Sequence, residues 1–366
     1  MDIRILDTID YQQVAKILYE SYIPQWSLVG SPEWNANYVE YLDKTYIKPK
    51  NGSYVGAFEG ENLIGIGFGF IHDWIINDIG EITVMKICNF GLLPDYQRKG
   101  IATSMVKKLV EAAALKNVKL VYRICRDELY DHRVLAKCGF VRKLNNVNHI
   151  VRIMGSDMID KLADLKGMGR AMKLLLKLVA GLPNENEGIQ NGILREGQIS
   201  DVEDCVNIIN AYKSSSSITR KWTKDEFKQL IINKDLLAAP FRAFLFVWEV
   251  EGRVRAFLAG RVESIQFKNG IGSAVGIIDT GFSTDLTRQD KTSFIISNLF
   301  QLKDLIPNGF GINLVVAHHE KKAFDKAGFT DDRSSRPLYI RVLSDDLQDW
   351  LETKWNFKAY YIPYQR

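Results

Sequence analysis

The chain repeats one plan at a shift of about 190 residues, a period too long for a solenoid and of the size expected for duplicated domains. Lys137-Cys138-Gly139-Phe140 has a twin in Lys326-Ala327-Gly328-Phe329. A β-like run follows each, Ile150–Met154 and Tyr339–Leu343, and the spacing from Lys137 to Arg152 equals that from Lys326 to Arg341. Ser156-Asp157 and Ser344-Asp345 then supply N-cap chemistry for a following helix. Earlier landmarks also match. A short strand (Ile3–Leu6, Ile193–Arg195) leads into a helix, and a hairpin turns at Glu59-Gly60-Glu61-Asn62 and at Val250-Glu251-Gly252-Arg253. Each copy reads β-α-α-β-β-β-α-β-α-β, a mixed α+β order. The expected domains are 1–154 and 193–366, joined by a linker at 155–192 whose first part, Asp157–Val179, is amphipathic and basic.

In the first copy, one segment carries chemistry. Phe90-Gly91-Leu92-Leu93-Pro94 ends an apolar run, and Asp95-Tyr96-Gln97-Arg98-Lys99-Gly100 forms a polar loop. Ile101, Met105, Val106, Leu109, Val110 and Ala113 then recur at helical spacing. A helix N-terminus offers free N–H groups to an anion. Gly100 removes the Cβ that would keep a ligand from the backbone, and Arg98 and Lys99 add positive charge. The spacing predicts a pyrophosphate-binding turn.

Gln97-x-x-Gly100-x-Ala102, with its preceding strand and the later Lys-x-Gly-Phe ending, resembles the GNAT (GCN5-related N-acetyltransferase) superfamily. The resemblance implies two tandem domains, each a mostly antiparallel mixed sheet flanked by helices. It implies acetyl-CoA as cosubstrate, its diphosphate on the amides of Arg98, Lys99, Gly100, Ile101, Ala102 and Thr103. Its pantetheine arm would run along Phe90, Gly91 and Leu92, with the Leu92 N–H stabilising the thioester oxyanion. It also implies direct attack on the thioester by an amine of a small molecule or peptide.

Many members of the superfamily protonate the leaving thiolate from a tyrosine five residues before the motif's phenylalanine. Here Leu135 stands at that position, and Phe324 in the second copy. Tyr130 is the replacement candidate. Related enzymes place a glutamate base on the strand before Pro94, which points to Glu81, with His72 and Asp73 in reserve. The absent tyrosine keeps a second reading open, a non-catalytic acyl-CoA-binding module. Tyr22, Trp26, Trp34, Tyr38, Tyr41 and Tyr46 either pack the helices or line an acceptor groove.

The second copy departs at the loop, reading Ser283-Thr284-Asp285-Leu286-Thr287-Arg288-Gln289-Asp290-Lys291. Lys291 falls at the glycine position, and Asp285 and Asp290 oppose an anion. This copy is expected not to hold CoA in the usual way.

Composition narrows the rest. A net charge of +4 over 366 residues is no nucleic-acid footprint. No apolar run reaches the length that spans a bilayer. Cys88, Cys125, Cys138 and Cys205 are scattered and show no metal-ligand spacing with the five histidines. The expected protein is cytoplasmic, with no metal, no nucleic-acid partner and no membrane partner.

Overall fold

A computed structural model describes residues 1–23, 31–77, 79–125, 131–144, 149–152, 183–212, 218–232, 242–267, 269–305, 309–315, 321–331, 337–353 and 360–361, with 159–160, 163–164, 169 and 174 of the linker. Trp26, Tyr130, most of the basic linker segment and most of the aromatic stretch Trp355–Tyr364, expected as a tail on the second domain, lie outside these residues.

The first half contains β1 (Asp2–Leu6), α1 (Tyr11–Tyr22), β2 (Ser31–Pro32), α2 (Ala36–Leu42), β3 (Ser53–Glu59), β4 (Asn62–Ile76), β5 (Gly80–Leu92), α3 (Ile101–Leu115), β6 (Leu120–Ile124), α4 (Asp131–Lys137), β7 (Val141–Leu144) and β8 (His149–Arg152). The second contains β9 (Ile193–Glu196), α5 (Val202–Tyr212), β10 (Ile218–Lys221), α6 (Lys224–Ile232), β11 (Arg242–Val250), β12 (Arg253–Phe267), β13 (Gly270–Phe282), α7 (Arg288–Leu305), β14 (Gly309–Val315), α8 (Lys321–Lys326), β15 (Thr330–Asp331), β16 (Leu338–Val342), α9 (Asp345–Thr353) and β17 (Tyr360–Tyr361).

Local chemistry explains the starts and turns. Asp10 caps α1, accepting from the N–H groups of Gln12 and Gln13. Both hairpins have two-residue loops. Glu251 and Gly252 both take positive φ, as a twist-matched tight turn requires.

Two mixed sheets result. One runs β1-β3-β4-β5-β6-β16-β7, with β10 paired to the far part of β4 and β17 to β10. The other runs β15-β8-β14-β13-β12-β11-β9, with β2 on β12. Pairing is antiparallel except at β5–β6, β13–β14 and β10–β17. α3 and α4 pack on one face of the first sheet, where Met105, Leu109 and Ala113 are fully buried. α7 and α8 cover the second sheet around Phe294 and Phe324. A shared core lies between the two sheets. Val14, Leu18, Tyr38 and Phe68 of the first half join Cys205, Ile209, Phe227 and Phe257 of the second.

The halves exchange strands reciprocally. β16, from the second half, lies between β6 and β7 of the first, and β8, from the first, lies between β14 and β15. A cut anywhere in 155–192 therefore crosses β-ladders in both directions. The repeated arginines ride on these strands. Arg341 Nη1 donates to the Cys138 carbonyl at 2.5 Å, and Arg152 Nη1 to the Ala327 carbonyl at 2.5 Å. Each carbonyl belongs to a helix end closed by a left-handed glycine, Gly139 at φ +76 and Gly328 at φ +85. The equal lysine-to-arginine spacing thus reflects a clamp, each half's arginine holding the other half's helix end.

Candidate active site

The site opens where β5 parts from β6. Their parallel pairing covers only Val84–Lys86 against Leu120–Tyr122, and β5 continues to Leu92 without that neighbour. Arg123 reaches across the gap, donating to the Ile87 carbonyl at 3.3 Å. A cavity of about 50 Å³ lies there, lined by Ile87, Phe90, Arg123, Ala102, Val106, Val134 and Leu135. Leu135, at the family's tyrosine position, thus presents an apolar wall to the gap.

On its other side, β5 bulges against β4 between Ile66 and Phe68, and Asn89 takes φ +46. Leu93 N–H donates to the Ile64 carbonyl at 3.0 Å. Antiparallel pairs alternate between bonded and non-bonded, so the adjacent Gly65–Leu92 pair is non-bonded and the Leu92 N–H points away from β4. The Leu92 carbonyl, on that same side, accepts from Gln97 Nε2 at 3.0 Å. Gln97 therefore braces the loop against the strand. Gly91 answers to packing, since a Cβ there would meet Ser21 Oγ at 2.6 Å.

The loop is a short 3₁₀ turn, Pro94–Tyr96, followed by Arg98 at φ +62 and Gly100 at φ +82. Gly100 stands at the N-cap of α3, with no side chain capping the helix. Among the described residues, the N–H groups of Ile101, Ala102 and Thr103 meet no protein acceptor. Nothing lies within 4 Å of a Cβ built on Gly100. Lys99 Nζ lies 5.3 Å from the Tyr96 ring centroid, and the Tyr96 hydroxyl donates to Glu59 at 2.5 Å. The result is an open cradle of N–H donors with positive charge beside it, next to the gap that Ala102 lines.

The second half shows the opposite arrangement. α7 begins three residues before Lys291, so Thr287 rather than Lys291 stands at its cap. Asp290 Oδ2 accepts from the Thr287 N–H at 2.9 Å and hydroxyl at 2.7 Å, while the Thr287 hydroxyl accepts from Asp290 N–H at 3.2 Å. This helix end is closed by its own carboxylate. Lys291 Nζ lies 5.6 Å from the Phe282 ring centroid, and burial lowers its pKa.

The proposed acid–base groups are not gathered here. Glu81 sits at the start of β5, roughly 35 Å along the strand from Leu92 at ~3.3 Å per residue. It pairs with Lys221 at 2.5 Å. His72 and Asp73 join a buried polar junction between the halves. His72 Nε2 and the Tyr122 hydroxyl are 3.0 Å apart, and Asp73 accepts from Lys50 at 2.8 Å and Thr83 at 3.0 Å. Arg220 pairs with Glu226 in the same cluster at 3.4 Å. Burial pushes the Cys88 thiol up to about 12, and burial raises Cys138 against the opposing pull of Lys107 and Arg341. Neither is poised as a thiolate nucleophile. Among the described residues, no group of three His, Cys, Asp or Glu side chains could hold a metal, and no helix is long and apolar enough to cross a membrane.

Burial, then Arg220 and Lys86, hold His72 well below its usual 6.5. It is neutral when folded, while the unfolded chain takes up a proton below pH 6.5. Stability is full above that pH and falls as pH drops toward the folded pKa, by about 1.4 kcal/mol per pH unit from this residue alone. Urea unfolding at pH 5.5 and 7.5 should show a smaller pH difference in His72→Gln than in the parent. Equal differences would rule out a neutral buried His72.

Residues 13–140 match the sequence profile of the Acetyltransferase (GNAT) family, which encompasses the open cradle, the gap and the Gly139-Phe140 ending. The chain has a GNAT-like fold in two tandem halves, and the stretch that matches this family's profile lies within the first half. Its fold is similar over most of its length to N-myristoyltransferase of Saccharomyces cerevisiae with bound myristoyl-CoA. That similarity has a TM-score of 0.68 at 12% identity, over 92% of this chain and 82% of that one. A second structure of the yeast enzyme gives 0.70 at 12% identity, over 92% and 78%. A GCN5-related N-acetyltransferase from Anabaena variabilis gives 0.56 at 9% identity, over 94% and 73%. Among curated proteins, none matches in sequence.

Proposed function

We propose that the chain is an N-acyltransferase that moves an acetyl group from acetyl-CoA to an amine of a small molecule or peptide, in a ternary complex at the first half. The observation that carries this is the contrast between the uncapped α3, with its left-handed Gly100 beside a parted strand, and the self-capped α7. The diphosphate sits on the amides of Arg98 to Thr103. The pantetheine arm takes the place of a strand along Phe90–Leu92, and the Leu92 N–H donates to the oxygen of the tetrahedral adduct. The neutral amine nitrogen forms the new bond to the thioester carbon, the C–S bond breaks with its electron pair leaving on sulfur, and the proton that the nitrogen sheds neutralises the thiolate. The amine must enter neutral, against a pKa near ~10.4 for a lysine-like group. Glu81 is too distant to remove that proton, so the deprotonation is assigned to no side chain. The bound myristoyl-CoA of the yeast neighbours supports an acyl-CoA ligand. The peptide-or-small-molecule acceptor rests on the resemblance.

Leu135 favours one other reading, an acyl-CoA-binding module without turnover. Calorimetric titration with acetyl-CoA is expected to give one site per chain, and free thiol is expected to appear with an added amine panel. Two sites or none would overturn the assignment to the first half. One site with no amine-dependent thiol release would leave the binding module.

A further inference from the structure

A second cavity, of about 430 Å³, opens at the seam of the strand exchange between α3, the end of α4, β16 and α9. That is within the 300–1,000 Å³ typical of ligand pockets. Its lining includes three cations, Lys107, Lys137 and Arg341, with the Gly139 backbone and Gln348, and no acidic side chain. Among the described residues, Lys107 and Lys137 make no hydrogen bond or ion pair with the protein. Arg341 spends one nitrogen on the Cys138 carbonyl. Two ammonium groups without partners among the described residues, in a concavity whose lining holds no acid, leave an unbalanced positive field, which suits a small dianion.

The cavity adjoins the cradle. Cys138 Sγ donates to the Thr103 carbonyl at 3.5 Å, and Thr103 is the last of the cradle amides. Lys107 follows it by four residues, one turn further on the same face of α3. Lys107 thus stands ~6 Å further along the helix axis than Thr103 at ~1.5 Å per residue, and a ligand whose diphosphate rests on the cradle has this pocket beside it for its next charged group. In CoA that group is the 3′-phosphate, carried on the same ribose as the 5′-diphosphate.

We propose that Lys107 and Lys137, at the pocket shaped by the exchanged strand, hold the 3′-phosphomonoester of CoA. This rests on the acyl-CoA reading of the first half. The corresponding turn of α7 supports it. There Ser297 and Asn298 stand, uncharged, with the Ser297 hydroxyl accepting from Ile189 N–H and Asn298 donating to the Phe294 carbonyl. The half with the closed helix cap thus lacks the α3 lysine as well. Because Arg341 and Gln348 come from the second half, that half contributes to the cofactor's distal end without binding CoA itself.

The test compares CoA with 3′-dephospho-CoA by titration of the full chain. The parent is expected to bind CoA about tenfold or more tightly, as charge-assisted contacts to a dianion imply. The Lys107→Ala, Lys137→Ala double variant is expected to bind both alike, with affinity for 3′-dephospho-CoA unchanged, which also verifies its fold. A ratio near one in the parent, or a preference that survives in the double variant, overturns the proposal while the acyl-CoA reading stands. Inorganic phosphate titrated alone then shows whether a free phosphate occupies the lysines instead. Failure of both nucleotides to bind the parent overturns the two readings together.

Discussion

Gly100→Val is expected to fold and to weaken acetyl-CoA binding at least about a hundredfold, a loss near 2.7 kcal/mol. The two effects separate because of where the new atoms go. No protein atom lies within 4 Å of a Cβ at this position, so the side chain enters the space assigned to the diphosphate rather than the core. The folded state bears only the left-handed backbone at φ +82, about 1–2 kcal/mol for an L-residue. In a chain of this size that lowers the melting temperature by a few degrees (about 2–4 °C per kcal/mol). Replacing Lys291 should leave binding untouched, because the cap it follows is already closed by Asp290. Tight binding retained by Gly100→Val would remove the cradle from the cofactor site.

Residues 1–192 produced alone are expected not to fold, and to recover when residues 193–366 are supplied with them. Without β16, the first sheet loses the strand between β6 and β7. Leu338 and Ile340 are fully buried in that strand, and Tyr339 is nearly so. At about 1.5–3 kcal/mol for each large buried side chain, the loss is comparable to the 5–15 kcal/mol that holds a typical domain folded. Two bare strand edges are also left, which favours aggregation. A monomeric 1–192 fragment with a cooperative melt would show that the exchange is dispensable. Within the intact chain, Arg341→Ala removes one clamp and strands the Cys138 carbonyl, at a cost of about 1–3 kcal/mol.

Much of the architecture was legible because duplication prints local patterns twice. The Glu59–Asn62 and Val250–Arg253 turns and the buried stripe of α3 follow from residue type and spacing, and the Lys-x-Gly-Phe twins marked the repeat. Strand exchange was not legible. β8 and β16 carry the same residues whichever sheet receives them, and their destination depends on the distance between ladders rather than on the strands themselves. The arginines hinted at it, since a basic residue repeated on an apolar strand needs an acceptor, but the sequence does not say whose carbonyl it meets.

At the site, the loop was readable because positive φ and an uncapped helix end require glycine at Gly100. Lys291 was placed at the matching position by counting, whereas Thr287 and Asp290 begin α7 earlier through their own capping box. Glu81 shares a strand with Leu92, but a 13-residue strand puts its ends far apart. Lys107 did not stand out, and Lys137 stood out only as part of the repeated motif, because lysine on a helix surface is ordinary. What distinguishes them is the pocket that β16 and α9 close around them, built by residues some two hundred positions later in the chain.

The crossed strands also set a clock for biosynthesis. Ile124 leaves the ribosome roughly two hundred residues before Leu338, its eventual neighbour. At about 5–20 residues per second, the first sheet waits on the order of 10–40 s for its missing strand. Over that interval β6 and β7 have no native partner between them. Until then the nascent first half exposes strand edges of the kind that invite wrong pairing, and the pocket beside α3 is complete only once β16 and α9 have been made.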